Sequence, residues 1–338
     1  MCGILGFIGK SKVPETSKRL ITSLFKITQS RGVDASGFYC SSDFNKKQVF
    51  FYKEPQPSTL FVENINYKKL WDNELNVGIF HCRAATQGVG IPAQNQNNHP
   101  FVSENRQRAI IHNGFINKIE LKQIKSIFET NTDCDSEVVL RILEQQGSLE
   151  NNICDFLSFA EKSAFSIAMV EVDESIRSLT LLRNAQRPMC IVDCRKNLGQ
   201  MFFCSTPQIF FESLIDVPEL EDMGYAIADL EKDTVFNIRY DIANNMSFFS
   251  YNIKYLSNNN KKNWNHSKIK AVKNMIFEAP IQFNNDLNVK EKLNLVEKLE
   301  EIILLYRGKQ ENNNFAKHNE EVSHHIKALQ LLLQKEQL

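Results

Sequence analysis

The sequence predicts an α+β layered domain over residues 2–240, followed by a polar linker and a helical extension. Three observations carry this. Strand-like and helix-like runs come in groups rather than in strict alternation, which favours a layered α+β arrangement over a doubly wound parallel sheet. Cysteine stops at Cys204, while asparagine and lysine become abundant from about Asn237 onward. Two amphipathic segments then close the chain.

Taken in order, the runs Cys2–Ile8, Gly37–Cys40, Gln48–Tyr52, Gly78–Cys82 and Arg108–His112 are short, apolar and bounded by turn residues, as strands are. Between the first two, residues 14–30 place Leu20, Ile21, Leu24, Phe25 and Thr28 on one helical face, with Gly32 positioned to cap the end. A second helix is expected from Asp135, with Val138, Val139, Ile142 and Leu143 inward. Strand-like runs return at Ala164–Val170, Ser178–Leu182, Met201–Cys204 and Tyr225–Asp229. Residues 241–285 read as a polar linker, since 242–277 hold six lysines and no acid. The alternative is a nucleic-acid strip using Tyr255 and Trp264 for stacking, which needs more support than six charges. Over 286–338, Val289, Leu293, Val296, Leu299, Ile303 and Tyr306 form one apolar stripe. Val322, Ile326, Leu329 and Leu333 form another, so a helical hairpin able to pack on a partner is expected.

Composition narrows the function classes. The 338 residues carry 42% hydrophobic and 24% charged side chains, and 40 Lys plus Arg balance 40 Asp plus Glu. No global field therefore recruits nucleic acid or anionic lipid. The first apolar run ends at Ile8, with Lys10, Lys12 and Lys18 after it rather than before, which is the wrong order for a signal peptide. No window has the apolar length of a spanning helix. The eight cysteines form neither CxxC pairs nor a dense framework, so reduced thiols and a cytoplasmic location are expected.

The chemistry starts at Cys2. Removal of Met1 would place a thiol and a free α-amine on one residue, a nucleophile with its own base, because an α-amine of reference pKa ~7.7–8.0 is partly neutral at cytosolic pH. Downstream stand "RGVDASGF" at 31–38, "HCRAATQG" at 81–88, "NNHPF" at 97–101, "HNGFI" at 112–116 and "DCDSEV" at 133–138. "RNAQRPM" at 183–189 and "FCSTPQIF" at 203–210 follow. Taken alone, Asn113-Gly114 is a turn, Asp135 an N-cap and Arg83 half of a salt bridge.

Together and in this order, the blocks resemble the class II glutamine amidotransferases. The glutaminase domains of that family are N-terminal-nucleophile hydrolases, and the spacing is most similar to the glutaminase half of glucosamine-6-phosphate synthases. The resemblance spans residues 2–238 and implies a four-layer αββα sandwich of antiparallel sheets. It implies that Cys2 attacks the side-chain amide of L-glutamine, and that the Asn113 amide and the Gly114 backbone N–H hold the oxyanion. Arg83 would grip the substrate α-carboxylate, a task suited to a guanidinium fork, Asp135 the α-ammonium, and Thr86 would help close the loop over the substrate. Arg31 would stand beside the nucleophile and order its loop, and His99 would order a loop. His81, His99 and His112 read as core histidines, and neither a metal nor an organic cofactor is implied.

Three positions depart from that pattern. Ala84 stands where the glucosamine-6-phosphate synthases carry a bulky aromatic that gates ammonia, Gln87 replaces a histidine, and Val33 replaces a larger residue. The hydrolytic set stays intact while the acceptor chemistry is left open. Only about 100 residues follow the resemblance, and they read as linker and helices. The expectation is a glutaminase that passes ammonia to a separate synthase, with the C-terminal helices pairing either with that synthase or with a second copy of the chain. The alternatives are an N-terminal-cysteine amidase acting on another γ-glutamyl or acyl amide, and a non-catalytic glutamine sensor.

Overall fold

The computed structural model describes residues 1–10, 13–42, 44, 48–85, 91–243 and 245–252. In chain order its strands are β1 (Gly3–Gly9), β2 (Ala35–Ser42), β3 (Val49–Glu54), β4 (Leu75–Arg83), β5 (Phe101–Val102), β6 (Arg108–Phe115), β7 (Ala164–Val172), β8 (Ile176–Arg183), β9 (Cys190–Cys194), β10 (Gln200–Cys204), β11 (Ala226–Asp229), β12 (Thr234–Asp241) and β13 (Met246–Asn252). The α-helices are α1 (Glu15–Thr28), α2 (Ser58–Phe61), α3 (Ile65–Leu70), α4 (Lys118–Lys125), α5 (Ser136–Leu143), α6 (Leu149–Phe159), α7 (Arg195–Leu198), α8 (Pro207–Ser213) and α9 (Glu219–Met223).

The strands form two antiparallel sheets. One has the order β11-β9-β10-β1-β4-β2-β3, the other β13-β12-β8-β7-β6-β5. Side chains alternate across a strand with period two, and three apolar clusters follow from that alternation. Ile4 and Ile8 of β1 meet Val77 and Ile79 of β4, Ala109 and Ile111 of β6, and Ala168 and Val170 of β7 between the sheets. Leu5 and Phe7 turn the other way, against Leu20, Ile21 and Leu24 of α1 and Phe210 of α8. On the outer face of the second sheet, Ile110 and Ile167 pack on Val138, Val139 and Ile142 of α5 and on Phe156 of α6. The order helix, sheet, sheet, helix is the expected αββα sandwich. Strands buried on both faces explain why their sequences read as apolar runs rather than alternating ones.

The predicted α1 and α5 form within a residue or two of their expected limits. Gly32 does not serve as a left-handed cap. A 3-10 turn over Gln29–Arg31 continues α1, and Gly32 follows in extended geometry, φ −172°. Its lack of a side chain answers a close approach instead: a Cβ there would overlap the carbonyl carbon of Arg83 and the amide nitrogen of Ala84. The linker expected from residue 241 begins with a strand, because β13 pairs along β12 from Met246↔Tyr240 to Asn252↔Thr234. The helical hairpin expected over 286–338, and the linker beyond Asn252, lie outside the described residues. Among the described residues no helix is long and apolar enough to cross a membrane.

Candidate active site

The alternation that builds the core also gathers the site. On β1 the even positions face the other sheet, so Cys2, one residue ahead of Gly3, falls in line with Ile4 and Ile8. On β4 the odd positions do so, adding His81 and Arg83 to Val77 and Ile79. On β6 Asn113 continues Ala109 and Ile111. β1 begins where antiparallel β4 ends, with Gly3 opposite Cys82. Residues 2, 83 and 113, far apart in sequence, thus share one end of the inter-sheet layer.

Cys2 is half-buried. The Ala84 N–H donates to its Sγ at 3.4 Å, and the thiol in turn reaches the Ala84 carbonyl at 3.5 Å. Burial pushes the thiol up from its ordinary pKa. The Ala84 N–H, the chain's terminal ammonium and the Arg83 guanidinium pull it down, and the Asp135 carboxylate pushes it further up. Burial is the largest of these effects, so the net direction is upward. The terminal strand is pinned from both sides. Arg31 donates from Nε to the Cys2 carbonyl at 3.0 Å, and the buried Ser205 hydroxyl accepts from the Ile4 N–H at 2.9 Å. At Gly3 a Cβ would collide with the Thr28 side chain, so α1 approaches β1 more closely there than any other residue allows.

Asn113 is 1% exposed, and neither its Nδ2 nor its Oδ1 has a hydrogen-bond partner among the described residues. A buried amide normally finds partners, so one with both polar atoms unpartnered departs from the usual pattern. Gly114 beside it tolerates no side chain, since a Cβ would overlap the Ala164 carbonyl across the β6–β7 pair. Asp135 sits at the N-cap of α5 but makes no capping bond. Its Oδ2 accepts from the Ile116 N–H at 2.8 Å instead, which ties the carboxylate to the end of β6 next to Asn113. The expected capping role is therefore replaced by a strand-end role. Arg83 is buried and donates from Nη1 to Asn98 Oδ1 at 2.6 Å.

His99 is buried and stacks on His81 with ring centroids 3.9 Å apart, while Phe101 meets its edge. His81 Nε2 lies 3.1 Å from the His112 carbonyl, and His112 Nδ1 lies 2.9 Å from the Ser136 hydroxyl. Burial pushes His81 down to about 3 and lowers His99 and His112 as well. The three rings are neutral packing elements at neutral pH. Among the described residues no three ligand-type side chains converge as a metal site. Thr86 and Gln87 lie outside the described residues.

The fold and the motifs meet known proteins at this point. No protein-family profile matches the chain. The glutamine–fructose-6-phosphate aminotransferase (isomerizing) of Thermococcus kodakarensis is 30% identical over 247 residues, covering 71% of this chain and 38% of that protein. The protein of the same name from Pyrococcus horikoshii is 26% identical over 249 residues, covering 70% and 38%. Two solved structures share the fold at a TM-score of 0.52 and 21% identity, over 75% of this chain and 49% of theirs. They are an allosteric regulatory enzyme of purine biosynthesis and the glutamine phosphoribosylpyrophosphate amidotransferase from B. subtilis. The chain belongs to the class II glutamine amidotransferases. It shares their N-terminal-nucleophile sandwich, and its matched part spans less than half the length of these relatives.

Within this domain the sheets bring Cys2, Arg83 and Asn113 to one end of the inter-sheet layer, and Asp135 joins them through the Ile116 N–H. Arg31 is engaged on the Cys2 backbone, and His99 is buried behind His81. Sequence reasoning missed Asn98, Lys53 and Asp34. Lys53 Nζ holds the Asn98 carbonyl at 2.5 Å and those of Gln96 and Pro100 at 3.2 Å. Asp34 Oδ2 accepts from the Ala85 N–H at 2.7 Å, fixing the chain just past Arg83. No local signal marks Lys53, which looks like an exposed strand residue. Asn98 lies inside the block "NNHPF", where only the histidine was singled out.

Proposed function

We propose that this domain hydrolyses the side-chain amide of L-glutamine through Cys2 and that the ammonia released goes to an acceptor synthase, separate or fused. The observation that carries the reading is the orphaned, buried Asn113 amide on the same inter-sheet face as Cys2 and Arg83. In the productive protein Met1, which is 70% exposed, has been removed. The freed α-amine of Cys2 takes the thiol proton, and the thiolate adds to the amide carbon. Negative charge then develops on the former carbonyl oxygen, where the Asn113 Nδ2 and the Gly114 N–H donate to it. The α-ammonium returns its proton to the amide nitrogen, the C–N bond breaks, and ammonia leaves a γ-glutamyl thioester. Water, deprotonated by the same amine, adds to the thioester and releases glutamate. Arg83 grips the α-carboxylate, Asp135 the α-ammonium, and Thr86 closes over them.

The same reading places the domain at 2–240 in the cytosol and assigns residues 286–338 to docking the acceptor synthase or a second copy of the chain. Neither a metal nor an organic cofactor is needed for any step.

Intact mass before and after the glutamine-like electrophile 6-diazo-5-oxo-norleucine, with Cys2→Ala as control, tests it. Loss of Met1 and one Cys2-dependent adduct are expected. A mature N-terminus that never reacts, or hydrolysis of blocked amides but not of glutamine, refutes it.

A further inference from the structure

Two guanidinium groups, those of Arg31 and Arg187, frame the residue that carries the nucleophile, and among the described residues neither has a carboxylate within ion-pair distance. Arg31 donates from Nε to the Cys2 carbonyl at 3.0 Å, and its Nη2 lies 4.0 Å from Met1 Sδ, so it spans both sides of the Cys2 nitrogen. Arg187 belongs to the block "RNAQRPM", which the proposed reaction leaves unused. Strand register brings it to the same place. Leu5, Cys204 and Cys190 form one row across β1, β10 and β9, and β1 and β9, both antiparallel to β10, run in one direction. Cys2 stands three residues before Leu5 and Arg187 three before Cys190, so both lie beyond the same end of that sheet. From there the Arg187 guanidinium reaches the ring of Phe115, 5.8 Å from its centroid, two residues past Asn113 on β6. Its Nη1 donates to the Gln186 carbonyl at 3.0 Å, while its buried Nε has no partner among the described residues.

A guanidinium stays charged in a protein, and an aromatic face attracts that charge without cancelling it. The two arginines act on each other: burial lowers the Arg31 pKa, Cys2 raises it, and Arg187 pushes it down again. A charge felt by Arg31 is also felt by the amine that Arg31 flanks, and like charges disfavour the charged form. An α-ammonium in this place is pressed to give up its proton. We propose that Arg31 and Arg187 hold the α-amine of the mature Cys2 in its neutral, proton-accepting form, acting through that amine and not on the substrate. The inference rests on the glutamine reading of the site, in which this amine is the base. The other titratable groups around Cys2 are Arg83 and Cys82 of β4, Asp135 at the head of α5 and Cys204 of β10, with His112 of β6 under the influence of Arg187. Asp135 opposes the two arginines, and the nearby Asp34 carboxylate is engaged on the Ala85 N–H.

The test uses the full chain with Met1 removed and the variants Arg187→Met, which keeps an apolar stem against Phe115, and Arg187→Lys, which keeps the charge. For each, kcat/KM for glutamine is followed from acid to alkaline pH, because its acid limb reports the essential base of the free enzyme. A unit charge ~10 Å away across an effective dielectric of ~40 shifts a pKa by about half a unit. Losing a cation raises the pKa of the amine, so the acid limb of Arg187→Met is expected about half a unit higher, with kcat/KM about threefold lower on that limb and unchanged on the plateau. Arg187→Lys should keep the wild-type limb. Arg31→Met should move the limb at least as far and lower the plateau too, because the Cys2 carbonyl loses its donor. If the acid limb of Arg187→Met stays in place, or the whole profile drops without shifting, Arg187 is merely structural and the proposal is wrong. An equal shift in Arg187→Lys also overturns it, since charge is then not the cause. A wild-type enzyme that neither hydrolyses glutamine nor takes a Cys2 label overturns the glutamine reading instead, and the inference with it.

Discussion

Replacing Asn113 with leucine, a near-isostere, should move stability and activity in opposite directions. In the folded protein the Asn113 amide is 1% exposed with neither polar atom partnered among the described residues. An amide buried without a hydrogen bond costs about 1–3 kcal/mol in proteins. Leucine removes that cost and adds apolar surface to a layer already lined by Ala109, Ile111 and Ala168, so Asn113→Leu is expected to gain about 1–3 kcal/mol in stability. For a domain of this size each kcal/mol moves the midpoint by ~2–4 °C, so the melting temperature should rise by several degrees. The same change deletes an oxyanion donor, which costs ~10²–10³ in kcat, or about 2.7–4 kcal/mol of barrier. Calorimetry and glutamine turnover on one preparation read both. A variant that melts lower than wild type refutes the claim that the amide is a buried cost. A stable variant with near-normal turnover refutes its role at the oxyanion.

Two further outcomes follow from the same region. Gly32→Ala should destabilise by about 1–3 kcal/mol, the usual range for overpacking, and slow labelling of Cys2, because the new methyl meets the Arg83–Ala84 backbone rather than a yielding side chain; a variant that labels at the wild-type rate would show that this backbone can shift freely. Acid should unfold the protein through its histidines. Burial holds His81 near 3 and lowers His99 and His112, so between these values and an unfolded pKa near ~6.5 the unfolded chain binds more protons. Stability is then complete above pH ~6.5 and lost as pH falls below it, by up to ~1.4 kcal/mol per pH unit for each histidine involved. Urea titrations at pH 7, 6 and 5 that give one constant unfolding free energy would contradict this.

Much of the architecture was legible because it depends on local period. The apolar runs that became β1, β2, β4, β6 and β7 were visible as runs since both of their faces are buried. α1 and α5 were visible since each presents one apolar stripe to a sheet. β13 was hidden inside an asparagine- and lysine-rich stretch, because pairing with a strand already in the sheet outweighs a weak local preference. β9 was missed because Asp193 breaks its apolar run after Val192, between a proline-containing turn and a basic turn. Asp135 looked like a cap from its neighbours in sequence, yet its carboxylate binds a backbone N–H 19 residues away.

The sequence by itself determined the α+β class, the order of the motif blocks and the residue types able to attack an amide, hold an oxyanion and grip an amino acid. These rest on side-chain chemistry and on periods of two and 3.6, which are written locally. Only the tertiary structure decided that Cys2, Arg83 and Asn113 share a face, that the Asn113 amide is buried with no partner among the described residues, and that Arg83 donates to Asn98. Those facts come from the register of antiparallel strands and from a loop returning to the strand it left, and contacts between residues so far apart in the chain exist only once the two sheets have closed on each other.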